Sequence, residues 1–195
     1  IINKQRKEEK KMRKDFEPKP WFFPLPVLIV ATYDENGNAD AMNAAWGGLY
    51  ESDQVELCLS AGHKTTKNIL SQKAFTISFA TGKYVEACDY VGLESGNNVP
   101  NKLEKSGFTT QKSDAVNAPV IQELPMCLEC TLIRQTEEGN IIGRIEKISV
   151  DESYIGENGI DVEKMEFISF DPIHNVYRVV KQAVGKAFAD GAKLK

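Results

Sequence analysis

The ten residues AMNAAWGGLY, 41–50, lie where a β-strand is expected, yet they are mostly Ala, Asn and Gly around one Trp. The preceding segment PVLIVATY is typical of a buried strand and leads into a turn at Asn36-Gly37, and the following QVELCLSA indicates another strand. Small residues and glycines weaken a strand unless something approaches its backbone closely. Two interpretations follow: a planar or phosphate-bearing ligand lies against this strand, or the stretch is a bulge or a barrel corner.

The first half of the chain is rich in strand signals on both sides of this stretch. The segments PVLIVATY, DAMNAAWGGLY, QVELCLSA and AFTISFA each predict one strand. Between the last two, GHKTTKNILSQK predicts a short helix that Thr65 or Thr66 caps and that turns Ile69 and Leu70 inward. A second helix is predicted over 83–94, with its end near a glycine, and NKLEKSG predicts one or two further helical turns.

The second half returns to strands. The turn EEGN joins two β-rich segments in a hairpin, and EFISFDPI predicts one strand more. Hairpins with few helices predict an α+β fold of mainly antiparallel β-structure, a barrel or a sandwich, and argue against a doubly wound parallel sheet. The chain also lacks a G-x-G-x-x-G dinucleotide fingerprint. We expect residues 15–195 to form a single domain.

The amino-acid composition argues against membrane-spanning and nucleic-acid-binding proteins. The 195 residues are 42% hydrophobic and 27% charged, and no apolar run approaches the roughly 18 residues that span a membrane, so we expect a soluble protein without a membrane partner. A net charge of −4 argues against a nucleic-acid partner. Residues 1–14 carry seven Lys or Arg and predict a solvated or non-native tail, with Met12 as a natural start. This tail lacks the shape of a secretory signal, which favours a cytoplasmic location.

Four cysteines stand at positions 58, 88, 127 and 130, and the last two form a C-x-x-C. PMCLECTLI alternates like a strand, on which positions three apart point to opposite faces, so this pair predicts no redox dithiol. With only His63 and His174 available and no second C-x-x-C, a zinc site is not supported. We therefore interpret the cysteines as structural and expect no metal.

The segment SAGHKTTKNI, 60–69, collects hydroxyls, amides and lysines at a strand-to-helix junction. Free backbone N–H groups and the positive end of a helix dipole suit a phosphate there. It is not a P-loop, and a polar helix cap with solvated lysines is the alternative interpretation. Together with the thin stretch at 41–50, it fits a flat ring that ends in a monophosphate.

These two segments also carry a family resemblance. LPVLIVATYDENGNADAMNAAW followed by SAGHKTTKNI resembles the flavin reductase-like family with the FMN-binding split β-barrel, and within it the flavoredoxin branch. YVGLESGNNVPNKLEKSGFT, APVIQELPMCLECTLI and FDPIHNVYRVVKQAVGKAF are similar to the same branch. The resemblance covers about residues 22–195 and implies a split barrel with a few flanking helices.

The resemblance also implies a cofactor and its binding residues. FMN is expected to lie with its isoalloxazine ring along one strand and with its ribityl chain and phosphate at the strand-to-helix junction. Related proteins are homodimers with the flavin near the subunit boundary, so a second chain is expected to complete the pocket. The strand residues are Asn43, Ala44, Ala45 and Trp46, and the junction residues are Ser60, His63, Lys64, Thr65, Thr66 and Asn68.

The implied activity passes electrons from NAD(P)H through bound FMN to a downstream acceptor. His63 is the one candidate for a direct part in nicotinamide docking or catalysis, with a structural hydrogen bond as the alternative, and His174 is expected in a turn. Two rival functions stay open. One is a non-catalytic electron carrier that holds flavin without reacting with nicotinamides, and the other is a cysteine-dependent acyl- or thiol-transfer enzyme built on Cys58 or Cys88.

Overall fold

A computed structural model describes residues 12–195. This part of the chain contains four α-helices and fourteen strands, some of only two residues. The helices are α1 (Lys64–Gln72), α2 (Val85–Leu93), α3 (Lys102–Lys105) and α4 (Val162–Met165). The strands are β1 (Leu25–Pro26), β2 (Leu28–Tyr33), β3 (Ala39–Ala44), β4 (Gly47–Glu51), β5 (Gln54–Leu57), β6 (Ala74–Phe79), β7 (Thr110–Lys112), β8 (Pro119–Ile121), β9 (Met126–Gln135), β10 (Ile141–Val150), β11 (Ile155–Gly156), β12 (Gly159–Ile160), β13 (Ile168–Asp171) and β14 (Val176–Val179).

The largest sheet has seven strands in the order β3-β2-β6-β9-β10-β5-β4, and every neighbouring pair is antiparallel. Its two edge strands, β3 and β4, follow each other in the chain and are joined only by Ala45 and Trp46. In a flat sheet of this width the edges would lie roughly 29 Å apart, whereas such a short connection spans about 10 Å. The sheet therefore curls until its edges approach, which makes the expected antiparallel split barrel.

The prediction of one strand over DAMNAAWGGLY is wrong. The segment forms two strands at opposite edges of the sheet, with a corner at Ala45 and Trp46 between them. After the corner, the Cys58 N–H donates to the Trp46 carbonyl at 2.8 Å and ties the turn to the chain beyond β5. The strand ends here because the backbone must change direction to cross between the two edges of the sheet. The barrel-corner interpretation thus holds for the centre of the stretch.

Two hydrophobic clusters fill the two faces of the sheet. β2 contributes to both, because its alternate residues point to opposite sides and all of them except Tyr33 are buried. The inner cluster lies inside the barrel and contains Leu57 and Phe75, and the outer cluster lies under α2 and contains Cys88 and Val91. The outer cluster fixes α2 beside β3, and this packing places the site described below.

The other predicted elements agree well with the structure. The strands at PVLIVATY, QVELCLSA and AFTISFA, the helix within 83–94 and the hairpin with Gly139 in its turn are all present. The predicted cap of α1 is wrong: His63 is the N-cap residue, without a side-chain capping bond, and Thr65 and Thr66 lie inside the first turn. Ile69 is fully buried, as expected.

A smaller sheet, β1-β13-β14, packs beside the barrel, and its β13–β14 part is termed the C-terminal hairpin. His174 lies in the turn of this hairpin, as expected, and its Nδ1 is 2.9 Å from the Asp171 carboxylate. Most of the tail predicted over residues 1–14 lies outside the described residues, and Met12 to Lys14 are exposed. Between residues 12 and 195, no helix has the length and apolar character that crossing a membrane takes.

Candidate functional site

A polar cavity of about 280 Å³ lies where the edge strand β3 meets the first turn of α1 and the last turn of α2. β3 is an edge strand that pairs with β2 on one side only, and three of its residues line this cavity. The lining residues come from four separate parts of the chain: Asp40, Met42, Asn43, His63, Lys64, Thr65, Val91, Gly92, Leu93, Glu94, Ser95, Gly96 and Lys102.

The N-terminus of α1 supplies the positive end of this cavity. The first intrahelical bond runs from Lys67 N–H to His63 O at 3.2 Å, so the N–H groups of Lys64, Thr65 and Thr66 precede the hydrogen-bonded ladder. Lys64 lines the same cavity, and its ammonium is 3.3 Å from the carboxylate oxygen Oδ2 of Asp34, which is not a lining residue. Backbone donors, a helix dipole and one cation together form a seat for an anion.

Three predicted junction residues turn their side chains into the protein. Thr65 donates to Asp40 Oδ2 at 2.9 Å, Thr66 donates to the Ser60 carbonyl at 2.9 Å, and Asn68 donates to Thr32 Oγ1 at 3.0 Å. All three side chains are buried, because these positions of α1 face the sheet. Their hydrogen bonds hold the helix start in place, and of the three only Thr65 also lines the cavity.

A buried ion pair, Asp40 and Lys102, closes the floor of the cavity and was missed in the sequence. Lys102 donates to the carbonyls of Val91 and Glu94 at 3.0 and 2.9 Å, and its ammonium is 3.7 Å from Asp40 Oδ1. Burial lowers the pKa of Lys102, although the Asp40 carboxylate opposes that shift. A Cβ at Gly96 would collide with Asp40 Oδ1, so only glycine lets the chain after α2 close over this pair. The one sequence signal was a lysine within the short helix that carries Leu103.

Asn43 is held from two sides. Its Nδ2 donates to the Cys88 carbonyl at 3.1 Å and to the Tyr177 hydroxyl at 3.5 Å, and Tyr177 in turn donates to Asp89 at 2.6 Å. Since a carbonyl oxygen only accepts, the amide nitrogen must face Cys88, and the side-chain oxygen of Asn43 is left as an acceptor in the cavity wall. Burial, and then the hydrogen bond to Asp89, raise the pKa of Tyr177, so its hydroxyl stays protonated.

The close approach of Asn43 to α2 depends on Gly92. A Cβ added at Gly92 would lie only 2.8 Å from the Asn43 Cβ, tighter than real contacts allow. Sequence reasoning selected Asn43 but missed its supports Asp89, Gly92 and Tyr177. Tyr177 is 134 residues away in sequence, and no local pattern links the two.

A second, apolar cavity of about 430 Å³ begins at the barrel corner. Trp46 is 58% exposed on its wall, whereas Ala44 is buried in the inner cluster. Ala45 lines this cavity, and Ser60 is exposed outside both cavities. The remaining lining residues are Pro20, Phe22, Leu25, Pro26, Gly47, Gly48, Leu49, Glu56 and Cys58.

The cysteines offer little support for thiol chemistry. Each of the four is a free thiol, and Cys127 and Cys130 both lie on β9, where burial raises the pKa of Cys127 to about 11. Burial raises the pKa of Cys88 to about 12, and burial together with the charge of Glu56 raises the pKa of the exposed Cys58. A thiol needs a lowered pKa to act as a nucleophile near neutral pH. Residues 12–195 contain no cluster of three or more His, Cys, Asp or Glu suited to a metal ion.

The chemical character of the two cavities matches the different parts of FMN. Asn43 in the polar wall and Ala45 in the apolar wall are two residues apart, which is about 7 Å along an extended chain. A ligand that reaches across both would meet an apolar surface with a tryptophan at one end and the anion seat of α1 at the other. An isoalloxazine ring, a ribityl chain and a phosphate present the matching sequence of chemical groups.

Known proteins resemble this chain in sequence and in fold. Residues 22–164 match the family model described as flavin reductase like domain. The structure is similar to the flavoredoxin of Desulfovibrio vulgaris (Miyazaki F), with a TM-score of 0.88, 34% identity, and coverage of 92% of this chain and 100% of that one. A flavoredoxin from Methanosarcina acetivorans has the same fold, with a TM-score of 0.84, 24% identity, and coverage of 94% and 100%.

A more distant structure shares the fold as well. It is described as an FMN-binding domain of a flavin reductases-like enzyme from Shewanella baltica OS155, with a TM-score of 0.73, 16% identity, and coverage of 83% of this chain and 88% of that one.

Proposed function

The chain belongs to the flavin reductase-like family, in its flavoredoxin branch, and on that premise we propose that it is an FMN-dependent oxidoreductase that passes electrons from NAD(P)H to a downstream acceptor. FMN is the cofactor. The observation that carries the proposal is the anion seat at the start of α1 beside the free edge of β3, with the apolar cavity at Trp46 next to it.

The chain's own residues divide the binding work. Lys64 and the first-turn N–H groups of α1 hold the phosphate, and Asn43 accepts a hydrogen bond from a hydroxyl or N–H group of the ligand. Ala45 and Trp46 offer the apolar surface for the ring. His63, exposed at the cavity mouth, is placed to meet an incoming nicotinamide. When bound, FMN supplies hydride acceptance and onward electron transfer.

Three finer features belong to the same proposal. NAD(P)H is the electron donor, the protein is a homodimer with the flavin near the subunit boundary, and its location is cytoplasmic. The role of Thr66 and Asn68 toward FMN is indirect, since their side chains hold α1 against Ser60 and Thr32.

An absorption spectrum of the purified protein, before and after denaturation, tests the cofactor, with the released chromophore identified by mass. We expect a yellow protein that releases one FMN per chain. A colourless protein that fails to bind added FMN at micromolar concentration would disprove the proposal.

Anaerobic addition of NADH or NADPH then tests the donor. We expect the flavin absorbance to bleach within seconds of mixing. If the FMN-loaded protein stays yellow with both nicotinamides but bleaches with dithionite, the chain is instead a flavin-holding electron carrier.

A further inference from the structure

Residues 16–24, with the sequence FEPKPWFFP, lead directly into β1 and are termed the N-terminal strap. Four of these nine residues are aromatic and three are proline. Every residue of the strap is exposed, whereas the next residue, Leu25, is buried. Single exposed aromatic residues are ordinary, but four within nine residues form an apolar surface that the core of this chain does not use.

The strap is attached to the rest of the molecule mainly at one end. Within the described part of the chain, its one backbone hydrogen bond is internal, from the Trp21 N–H to the Lys19 carbonyl at 2.7 Å. Pairing with a sheet begins only at Leu25 and Pro26, which form β1 beside β13. The prolines favour an extended backbone without internal hydrogen bonds. The strap can therefore adjust its position over the neighbouring surface without breaking backbone pairing.

Phe22 differs from the other aromatic residues of the strap. Phe16 and Trp21 pack edge to face, with ring centroids 5.4 Å apart, so each already has an aromatic partner. Phe22 has no ring partner among the described residues, is 76% exposed, and lines the apolar cavity together with Pro20. The same cavity is lined by Trp46 from the barrel corner. Two separate parts of the chain thus each present one large aromatic side chain to this cavity.

The chemistry of Phe22 suits a flat aromatic ligand. Most of its side chain is exposed, so contact with a ring in the cavity removes apolar area from water. Aromatic rings also attract one another in offset or edge-to-face arrangements beyond the effect of area alone. A segment held at one end can bring such a side chain onto a ligand after the ligand has entered.

We propose that the N-terminal strap covers the flavin ring and that Phe22 packs on this ring, positions it and shields it from water. The inference rests on the FMN site of the proposed function. It goes beyond that function by assigning a positioning role to a residue outside both the strand and the strand-to-helix junction, and by making the strap the element that limits access to the ring.

Equilibrium dialysis of the full chain against FMN and against riboflavin tests the proposal. We expect Phe22→Ala to raise the Kd of both ligands by the same factor, about 3- to 30-fold, because both contain the ring. Phe22→Tyr keeps an aromatic ring and should bind both ligands like the wild type. Phe188→Ala is the matched control, since Phe188 is fully exposed and lines neither cavity.

The absorption spectrum of bound FMN gives a second readout. The visible band of a flavin shows resolved shoulders in apolar surroundings and is smooth in water. At saturating FMN, we expect the band to be smoother in Phe22→Ala than in the wild type and in Phe22→Tyr. Urea denaturation without FMN should give the same free energy of unfolding for all of them, because Phe22 is largely exposed.

Several results would overturn the inference. If the wild type binds FMN and Phe22→Ala has the same Kd and the same band shape, the strap does not cover the ring, while the proposed function stands. A loss for FMN but not for riboflavin would assign Phe22 to the phosphate end. An equal loss in Phe188→Ala, or a lower free energy of unfolding in Phe22→Ala, would show that the effect is not specific to the ring. A wild type that binds no FMN contradicts both proposals.

Discussion

β3 and β4 leave the same corner at Ala45 and Trp46, yet they lie in opposite surroundings. β3 has helices over its outer face and ends at the polar cavity, whereas β4 is largely exposed, with Leu49 at 75% and Tyr50 at 45%. Next to the corner each strand carries small residues, Ala44 in β3 and Gly47 and Gly48 in β4, but for different reasons. A small residue can make room for a ligand or for the protein's own atoms, and composition does not distinguish the two.

Two adjacent glycines in β4 make this difference clear. A Cβ at Gly47 would lie 2.7 Å from Leu57 Cδ2 and 2.8 Å from the Glu56 carbonyl, so Gly47 is required by internal packing. A Cβ at Gly48 would meet nothing within 4 Å. Both glycines line the apolar cavity, but only Gly48 has open space where a side chain would stand, so Gly48 is the position at which a ligand could approach the backbone.

Substitution of Gly47 and Gly48 should give the largest difference between a glycine required by packing and one that is not. We expect Gly47→Ala to lower the free energy of unfolding by about 1–3 kcal/mol, because the barrel must shift to accept the methyl group. Gly48→Ala, its matched control, should change that free energy by less than about 0.5 kcal/mol. Urea denaturation without FMN measures both, and equal losses would show that the packing argument for Gly47 is wrong.

The polar cavity can be tested by comparing the binding of FMN with that of a flavin that lacks the phosphate. We expect Lys64→Ala to weaken FMN binding by about 10- to 100-fold, since hydrogen bonds to charged groups contribute about 1.5–3 kcal/mol. Riboflavin, which lacks the phosphate, should bind equally well to both proteins. Lys67→Ala, one turn along and exposed, is the control. An equal loss for FMN and riboflavin would mean that Lys64 acts on the fold and not on the phosphate.

Removing the hydrogen bond that holds the Asn43 side chain should weaken FMN binding less than removing Lys64. Tyr177→Phe keeps the ring beside Phe170 but removes the hydroxyl that joins Asn43 and Asp89. We expect FMN binding to weaken about 2- to 5-fold and the flavin absorption maxima to shift, as one neutral hydrogen bond contributes about 1 kcal/mol or less. Asp89→Asn, which retains an acceptor for the Tyr177 hydroxyl, is the control and should bind FMN like the wild type. A lower melting temperature with an unchanged flavin spectrum would assign Tyr177 a purely structural role.

The smallest expected effect is on the stability of the protein at acid pH, through Asp171 in the C-terminal hairpin. Hydrogen bonds from His174, Arg178 and the backbone outweigh burial and hold the pKa of Asp171 well below its usual range. Because the pKa of Asp171 is lower in the folded than in the unfolded protein, its ionised carboxylate stabilises the fold at pH values above about 3.9, the pKa of Asp in an unfolded chain. This stabilisation is lost as the pH falls toward the pKa in the folded state. We expect the melting temperatures of wild type and Asp171→Asn to differ at pH 7 and to converge below about pH 4. A constant difference across that range would contradict this assignment.

Much of the architecture was predictable because its signals are local. A continuous apolar run placed the strand at PVLIVATY, alternating apolar residues placed the strand at AFTISFA, and Gly139 marked the hairpin turn. Each of these signals depends only on neighbours within a few residues. The strand-to-helix junction with Lys64 was predictable as well, because it is itself a local pattern, and its role as an anion seat stays a prediction. The assignment of Thr65 or Thr66 as the cap failed, because Asp40 and the Ser60 carbonyl bind their hydroxyls instead.

By itself, the sequence determined the order of the elements and the chemistry each brings: an antiparallel barrel, a cationic helix start and a thin stretch at 41–50. The tertiary structure alone decided that this stretch divides between opposite sheet edges, that Gly47 serves packing, and that Tyr177 supports Asn43 from 134 residues away. The physical reason is that periodicity and capping act over one or two turns of chain. Edge closure and buried polar contacts depend instead on which distant segments the core brings together.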